Sequence, residues 1–457
     1  MPSRIRVSAL AAVALAVWGN PASSQTMTES LASAYSTNPQ LNVARAQLRA
    51  VDEDIAIARS QNRPLVQASI SYLTSATQVY GARAVRGYTS NNQVEFALQL
   101  QQPIFQGFQV RNTIRQAESS VQAQRADLQV TEQDILLNSA VAFLDVILYR
   151  QIVNLRRNDV EFLGEQVRAA RDRFEVGEGT RTDVSQAEAR RAESQSLLNA
   201  SEANYEAARA TYQRQTNLVA NNLRDNFNVE RLLPKDLAAA LNTGQQGHPA
   251  IMASLFNVDV NIFNVAALEG QFLPSLSATA SASSTVDTVG LADRTDDARF
   301  GLNLTIPLYQ RGQVSAQVRQ AKENLGAARI QVDLNRNIVR QSVATSWSAY
   351  QASVRSIFDA QTGVFSAQLA LEGVIEEQRV GQRTTLDVLD SQRDLISAQI
   401  TLVQAQRDKD AAAFQLLSNV GRLNVASLGI NVDNYRPEEH TDAVRNKWYG
   451  AKTPDGR

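Results

Sequence analysis

The chain has 457 residues and a formal net charge of -1, with 45 Lys and Arg against 46 Asp and Glu. This balance lacks the basic excess typical of nucleic-acid binding, so we expect no nucleic-acid partner. The absence of cysteine excludes disulfides and zinc–thiolate sites. With only two histidines, His248 and His440, a histidine-based metal site or catalytic triad is not expected, and nothing in the composition indicates a cofactor.

The N-terminal segment has the pattern of a secretory signal. A basic start precedes an apolar stretch over 7–18, and Ala22 to Ser24 offer a small-residue cleavage site before Gln25. We therefore expect 1–24 to be a signal peptide, since the apolar stretch is short for a membrane anchor. The best later candidate for a membrane helix, 136–149, is interrupted by polar residues. Any membrane span is therefore expected to be a β-barrel.

A helical pattern over 28–63 ends at a proline, and alternation with period two follows. Apolar side chains occupy every second position in two runs: Val66, Ala68, Ile70 and Tyr72, then Val94, Phe96, Leu98 and Leu100. Strict alternation predicts strands with one apolar and one polar face. We predict these strands at about 65–80 and 92–105, joined by a loop rich in Gly, Arg and Asn.

Pro103 marks a change of period, and the residues over 108–176 contain no proline. Apolar residues there recur at steps of three and four, as at Phe143, Val146, Tyr149 and Val153, which is typical of coiled-coil packing. A helix over about 108–176 would reach about 100 Å. A glycine-containing turn then leads to a return helix at about 183–222, which starts at an aspartate that favours helix N-termini.

The same order of elements occurs twice. Residues 105–110 read FQGFQV and residues 309–314 read YQRGQV, and each segment is followed five residues later by Arg-Gln-Ala. The turn residues also match in identity and spacing: Val176, Gly177, Thr180 and Asp183 correspond to Val380, Gly381, Thr384 and Asp387. Such matching predicts an internal duplication, with a first repeat over 25–224 and a second over 225–429.

The second repeat predicts the same elements as the first. Alternation indicates strands at about 274–287 and 298–308, and a proline-free segment predicts a long helix at about 312–380. A return helix is expected at about 387–423, followed by a polar C-terminal tail over 430–457. The predicted fold class is mainly α with β, built from a duplicated helix–strand–strand–long helix–helix unit.

Four amphipathic strands in one chain cannot close a membrane barrel, because small closed barrels need about eight. An open sheet would leave unpaired edges in lipid, at high cost. Three copies would supply the missing strands, so we expect a homotrimer. The long helices are too polar for the bilayer and are expected to project into an aqueous compartment. The result would be a conduit without a catalytic site.

This plan resembles the TolC-like outer-membrane efflux and secretion channels over nearly the whole mature chain. The most specific stretches are the turns 176–184 and 380–390 and the segments 103–109 and 307–313 that follow the strands. The resemblance implies a trimeric, twelve-stranded outer-membrane β-barrel continuous with a periplasmic twelve-helix coiled-coil α-barrel. As partners it implies outer-membrane lipid, a periplasmic adaptor, and an inner-membrane transporter that is ABC or proton-driven.

The resemblance also implies passive export, in type I protein secretion, multidrug efflux or both. The chain lacks the N-terminal cysteine that is lipidated in some drug-efflux members, and its tail from Tyr435 resembles tails of secretion members. One alternative is a periplasmic adaptor or scaffold with helical hairpins, which would need a compact β-domain. Another is a hydrolase, for which the sequence has no nucleophile–histidine pairing or metal-ligand cluster.

By resemblance, Asp387 and Asp390 form an aperture ring at the narrow inner tip of the tube. The alternative is that both are helix-start residues in water, since helix N-termini favour anions. Like charges crowded around one axis would raise the pKa of some of these carboxyls, or a divalent cation would neutralise them.

The resemblance assigns further roles to the two tip turns. Tip-gating contacts are expected at Thr182, Asp183 and Arg383, although Arg383 could equally be a solvent-exposed arginine. Adaptor docking is expected at the matched positions of both turns: Gly177, Thr180, Gly381 and Thr384. The two glycines are also expected simply to permit tight turns.

Overall fold

The computed structural model describes residues 25–78, 80, 88–224, 227–287 and 294–456. The expected signal peptide, 1–24, lies outside the described residues, as do most residues of the two loops expected between paired strands. Most of the described chain is helical, and it also contains one four-stranded sheet. The prediction of a mainly helical fold with a small amount of β-structure is therefore confirmed.

The first half of the chain begins with two short helices, α1 (Met27–Thr37) and α2 (Pro39–Ser60). Strands β1 (Leu65–Gln78) and β2 (Tyr88–Gln106) follow. The 67-residue helix α3 (Gln109–Glu175) then runs to a turn, and the 36-residue helix α4 (Arg181–Thr216) returns from it. At its helical rise, α3 is about 100 Å long.

The second half repeats this order after a short 3-10 turn at Val229–Leu232. Its two short helices are α5 (Leu237–Gly247) and α6 (Pro249–Glu269), and its strands are β3 (Ser275–Asp287) and β4 (Arg294–Thr305). Helix α7 (Gln313–Arg379) again has 67 residues, and the return helix α8 (Thr385–Asn419) has 35. A last helix, α9 (Pro437–Val444), lies in the tail.

The helical segment expected over 28–63 is in fact two helices. Pro39 has no N–H with which to continue α1, and it lies instead at the start of α2. Asn38 caps α2, because its Oδ1 accepts a hydrogen bond from a backbone N–H at 2.8 Å. His248 caps α6 in the same way, with Nδ1 accepting from the Ala250 N–H at 3.2 Å. The Asn-Pro and His-Pro pairs therefore both start a helix, with different side chains as the cap.

The sheet is antiparallel, with the strand order β1-β2-β3-β4. Its register brings apolar residues onto one face, with Ile70 opposite Phe96 and Ala280 opposite Phe300. Within the described residues this face is uncovered, since Phe300 is 76% and Ile70 73% exposed. Among the strands that the structure describes, β1 and β4 each pair with one neighbour. The β-structure is therefore a single open layer with two free edges.

Each long helix is packed by shorter helices that lie along different parts of its length. Helix α3 contacts α4 as well as α1 and α2, and α7 contacts α8 as well as α5 and α6. Helices α3 and α4 form a first hairpin, and α7 and α8 form a second. Helix α3 also contacts α6 and α8, which joins the two hairpins side by side. The turns 176–180 and 380–384 are the far ends of the hairpins, about 100 Å from the sheet by helix rise.

The largest apolar cluster lies in the middle of the hairpins. It joins α1, α2, the central part of α3, the ends of α4 and α8, and the segment after α8, and its largest buried side chains include Phe143, Tyr212 and Phe414. The C-terminal tail packs in the same region as this cluster, because α9 contacts α2. In addition, the Tyr435 N–H donates to the Tyr35 hydroxyl at 3.1 Å.

Two helical stretches in the described ranges are long and apolar enough to cross a membrane by length and composition: Gln109–Glu175 and Leu237–Phe272. The apolar window of the first is 56% buried inside the protein, and that of the second is 22% buried. Both stretches pack on neighbouring helices of the hairpins, α3 on α4 and α6 on α3 and α7. Helix packing therefore accounts for part of their apolar character.

Candidate functional site

Both tip turns close their long helix with the same backbone geometry. After α3, the Gly177 N–H donates to the Phe174 carbonyl at 3.1 Å and the Glu178 N–H donates to the Arg173 carbonyl at 2.8 Å. The two residues after Val380 make the equivalent bonds at 3.0 and 2.9 Å. This motif needs a left-handed residue at its first position. Gly177 has φ of +80° and Gly381 of +78°, and a Cβ added to either would meet nothing within 4 Å.

A capping box starts each return helix. The Thr180 N–H and hydroxyl donate to Asp183 Oδ2 at 3.0 and 2.7 Å, and the Asp183 N–H donates back to Thr180 Oγ1 at 3.2 Å. Thr384 and Asp387 make the same three bonds at 2.8, 2.8 and 3.2 Å. Each box satisfies backbone donors that the first helical turn would otherwise leave unpaired. Four of the predicted site residues therefore hold the helix starts in place.

The carboxyls of both capping aspartates have lowered pKa values. For Asp387 the main cause is the hydrogen bond from the Thr384 N–H, followed by the bond from the Thr384 hydroxyl. For Asp183 the Thr180 hydroxyl contributes most and the Thr180 N–H second. The direction for Asp387 is opposite to the rise expected from crowding of like charges. Within one protomer, hydrogen bonds to the charged form dominate instead.

Asp390 lies almost one turn further along α8 and contacts the first hairpin. Its Oδ1 accepts a hydrogen bond from Arg190 Nη2 on α4 at 2.8 Å. Arg393 Nη1 lies 3.9 Å from the same oxygen, and Arg190 also pairs with Glu193 at 3.0 Å. Asp390 remains 40% exposed. The carboxylate predicted for the aperture ring is therefore partly neutralised by an arginine that the sequence reasoning did not identify.

Two of the predicted gating residues, Asp183 and Arg383, make hydrogen bonds within their own hairpins. Arg383 Nε donates to Glu377 Oε2 at 2.7 Å, and this pairing is the largest cause of the raised pKa of Arg383. Asp183 is engaged in the Thr180 capping box, and Thr182 is exposed. The structure therefore places Arg383 in the turn between α7 and α8, and Thr182 and Asp183 at the start of α4.

A buried carboxylate links three helices above the tip. Asp159 on α3 is 5% exposed. Its Oδ2 accepts from Ser194 Oγ on α4 at 2.6 Å, and its Oδ1 accepts from Gln392 Nε2 on α8 at 3.0 Å. Leu389 of α8 is buried alongside, in a cluster with Leu163 of α3. Together with the Arg190–Asp390 pair, this packing fixes α8 against the first hairpin.

Sequence reasoning missed Asp159, although a signal was present. Asp159 lies four residues before Leu163, which is itself four residues before Val167, so a charged residue occupies a buried stripe of α3. A carboxylate in such a position needs hydrogen-bonding partners. Those partners could not be identified from sequence, because Gln392 is 233 residues away.

Comparison with known families gives one match that covers most of the chain. A model of the outer membrane efflux protein family matches residues 31–198 and 240–422. The two matched segments include both strand pairs, both long helices and both tip turns.

Three curated relatives resemble this chain along most of its length. The outer membrane efflux protein BepC of Brucella suis biovar 1 is 43% identical over 444 residues, which cover 96% of this chain and 94% of that protein. The outer membrane protein TolC of Escherichia coli is 28% identical over 86% of this chain and 81% of its own length. The alkaline protease secretion protein AprF of Pseudomonas aeruginosa is 24% identical over 74% of this chain and 72% of its own length.

The fold is also found in solved structures. The Campylobacter jejuni CmeC outer membrane channel superposes with a TM-score of 0.77 at 18% identity, covering 92% of this chain and 89% of that one. Identity this low supports likeness of fold alone. The shared fold includes an open four-stranded sheet and two long helical hairpins in this chain.

Proposed function

The chain belongs to the outer membrane efflux protein family, and on this premise we propose that it is the exit duct of a tripartite export system. The resemblance to this family inferred from the sequence is confirmed, and the chain is an outer-membrane protein with its helical tube in the periplasm. In the proposed system, an inner-membrane transporter, ABC or proton-driven, supplies the energy. A periplasmic adaptor connects it to this chain, which conducts the substrate passively to the exterior.

The observation that carries the proposal is the open sheet. Four antiparallel strands have one apolar face that is exposed and two edges with unpaired backbone groups. In a bilayer, each unpaired backbone group would cost several kcal/mol, so the edges must be closed. Three copies would pair β1 of one protomer with β4 of the next and give a closed barrel of twelve strands. The apolar faces would then meet lipid, and the polar faces would line water.

A second feature supports the trimer along the helical tube. Helix α7 carries an exposed apolar stripe of 49–71% exposed residues: Ile330, Leu334, Ile338, Phe358, Phe365 and Leu369. Val43 and Ile57 on α2 and Leu197 on α4 are also exposed apolar residues of the described chain. We infer that a second copy of the chain covers the stripe, which closes the helices into a twelve-helix periplasmic tube.

The proposed duct is built from two repeats, 25–224 and 225–429, followed by the tail 430–457. Each repeat contributes two strands, one long helix and one return helix, as the order of elements in each half supports. Threefold symmetry acting on two repeats would give six similar hairpins around the tube. The expected signal peptide, 1–24, remains part of this proposal.

At the inner tip we propose that Asp387 and Asp390 form the aperture ring. Both lie in the first turns of α8, which starts at the far end of the second hairpin. The capping bonds lower the pKa of the Asp387 carboxyl, and three copies would bring six carboxylates to one end of the tube. Such oxygens suit hard cations. Within the described part of a single chain, no group of three or more His, Cys, Asp and Glu could hold a metal ion.

We assign gating and docking to the two tip turns. Thr182, Asp183 and Arg383 are the proposed gating residues, because they flank the turns where α3 meets α4 and α7 meets α8. Gly177, Thr180, Gly381 and Thr384 are the proposed adaptor-docking positions. Both glycines are exposed at the very end of the hairpins with open space around them, where a partner from the inner membrane would first make contact.

Two cargo classes follow from the relatives. The name of BepC describes an efflux protein, and at 43% identity it supports efflux of small molecules as the first candidate. The name of AprF describes protease secretion, which supports type I protein secretion as the second.

The proposal is tested first by mass and conductance. We expect the detergent-solubilised protein to have about three times the mass of one chain, because a four-stranded sheet cannot close alone, and to form channels in a planar bilayer. A stable monomer that forms no channels would contradict the proposal.

Deletion of the gene should then sensitise the parent cell to toxic small molecules or abolish secretion of a protein. Restoration by the intact gene identifies which cargo class depends on the duct.

A further inference from the structure

We propose that the C-terminal tail is a membrane anchor, whose Trp448 and Tyr449 lie among the phospholipid headgroups of the periplasmic leaflet of the outer membrane. The inference rests on the proposed barrel, because it uses the level at which the strands begin. It concerns a part of the chain that the duct mechanism does not use.

Polar contacts hold the C-terminal tail along α2. Asp52 on α2 is fully buried, and its Oδ1 accepts from the Thr441 hydroxyl at 2.8 Å. Its Oδ2 lies 2.9 Å from His440 Nδ1. Arg125 on α3 adds a third attachment, donating to Thr441 Oγ1 at 2.8 Å and pairing with Glu438 at 3.2 Å. These contacts hold α9 and fix the direction of the residues that follow it.

The contacts between the tail and α2 continue towards the sheet. Arg59, near the end of α2, donates to Asn446 Oδ1 at 2.6 Å. Arg63, immediately before the proline that precedes β1, donates to the Lys447 carbonyl at 2.7 Å. The guanidinium of Arg63 also lies over the ring of Trp448, with its Cζ 4.6 Å from the ring centroid. Trp448 is therefore held beside the first residues of β1.

The start of β1 is the periplasmic end of the proposed barrel. β2 and β4 end, and β3 begins, at this same end of the sheet. Aromatic residues are concentrated there: Phe105 and Phe108 have ring centroids 5.1 Å apart, and Phe272 and Tyr309 are exposed. Membrane barrels carry such aromatic girdles at the level of the lipid headgroups. The tail thus brings two more aromatic rings to that level.

The side chains at the end of the tail are of the types that favour the headgroup region of a membrane. Trp448 is 67% and Tyr449 91% exposed, whereas large aromatic rings are normally kept from water. Both side chains have an apolar body and a polar tip, which suits the membrane–water interface. Lys447 and Lys452 flank them. The Lys447 ammonium donates to the Lys452 carbonyl, and both cations complement lipid phosphates. The tail forms an extra layer on the wall, and it must lie outside a tube whose lumen stays open.

The structure offers a direct test by tryptophan fluorescence. The full chain has only Trp18, Trp347 and Trp448, so Trp18→Phe with Trp347→Phe leaves Trp448 as the single reporter. The trimer is reconstituted into vesicles of phosphatidylethanolamine and phosphatidylglycerol that contain lipids brominated near the headgroup or near the chain end. We expect Trp448 to lose about half of its emission with the shallow quencher and clearly less with the deep one.

Two matched reporters make the outcome decisive. Trp18→Phe with Trp448→Phe leaves Trp347, which lies about 50 Å along α7 from the sheet and should not be quenched. Phe300→Trp, in a background without the other tryptophans, reports on the apolar face of the sheet and should be quenched. If Phe300→Trp is quenched and Trp448 is not, the anchor is overturned while the barrel stands. If neither is quenched, both fail.

The flanking charges are tested separately. In vesicles where only phosphatidylglycerol carries bromine, Lys447→Gln with Lys452→Gln should reduce the quenching of Trp448, because the cations that attract anionic headgroups are gone. Vesicles with brominated phosphatidylethanolamine provide the reference. An equal response of parent and variant to both lipids would overturn the assignment of these lysines to lipid phosphates.

Discussion

Arg190 and Asp390 form an ion pair between the two hairpins, with Nη2 of the arginine 2.8 Å from Oδ1 of the aspartate. The pair joins α4 to α8 in the tip region, and both side chains are partly exposed, at 28% and 40%. Asp390 thus has two relations to the proposed aperture. Its carboxylate is available to a cation, and it is partly compensated by an arginine of the same protomer.

The first prediction follows from this compensation. Arg190→Gln should strengthen block of the channel by a trivalent cation, because removing the positive charge makes the electrostatic potential around the Asp390 carboxylate more negative. Partly exposed ion pairs contribute about 0.2–1 kcal/mol, so we expect an increase in blocker affinity of no more than about fivefold. Single-channel conductance, with the blocker added on the tip side, measures the effect.

A matched variant separates the ring from general surface charge. Arg157→Gln removes the same charge from a pair with Glu202 at 2.7 Å, on the wall above the tip, and should leave the block unchanged. An Arg190→Gln channel with weaker block than the parent would mean that the arginine does not compensate a carboxylate that the blocker meets.

The second prediction concerns docking at Gly381. Gly381→Trp should abolish export and leave a folded trimer in the membrane. The strain of a side chain at positive φ costs about 1–2 kcal/mol, which is small for a trimer. Gly429→Trp is the matched control, since Gly429 also has positive φ, +65°, and open space around it, but lies in the segment after α8. Export assays with trimer quantification distinguish the two, and equal loss of export from both variants would contradict docking at the tip.

The elements of the fold could be predicted because each depends on local periodicity. The alternation of Ile70 and Tyr72 with polar neighbours predicts a strand from adjacent residues alone. The separation of α1 from α2 at Pro39 is also predictable from the sequence, since an asparagine followed by proline favours a helix start. The apolar spacing continues across this pair, and periodicity alone therefore predicts one helix.

The contacts between distant segments could not be predicted in this way. Asp52 and Thr441 are 389 residues apart, and the sequence does not reveal that the tail returns to α2. The Arg190–Asp390 pair, 200 residues apart, depends on how the two hairpins are aligned. Periodicity defines which face of each helix is buried, but the partner across that face is set by tertiary packing.

The third prediction uses the two proline-associated caps. Burial lowers the pKa of His248 from its ordinary value of 6.5, and its Nδ1 must be unprotonated to accept the Ala250 N–H. Because the pKa is lowered in the folded state, the stabilising contribution is present above about pH 6.5 and is lost as the pH falls below it. His248→Asn should retain the cap, as Asn38 does in the first half, and should lose less stability on acidification.

Thermal unfolding of the trimer at about pH 7.5 and about pH 5.5 measures this difference. The second histidine, His440, is retained in both proteins, so it contributes equally to both measurements. If parent and His248→Asn lose equal amounts of thermal stability between the two pH values, the cap of α6 does not depend on the protonation of His248.

The last prediction tests the ring itself. Asp387→Ala with Asp390→Ala should remove block by a trivalent cation and weaken cation selectivity, because six carboxylates disappear from the proposed aperture of the trimer. The double variant also loses the Asp387 half of the capping box of α8, because Asp387 Oδ2 accepts from the Thr384 N–H and hydroxyl. Asp183→Ala is a control for that loss, because Asp183 has the same three capping bonds at the start of α4. It should destabilise its helix equally and change the block less. If the double variant is blocked as strongly as the parent, Asp387 and Asp390 serve only the start of α8 and its junction with α4.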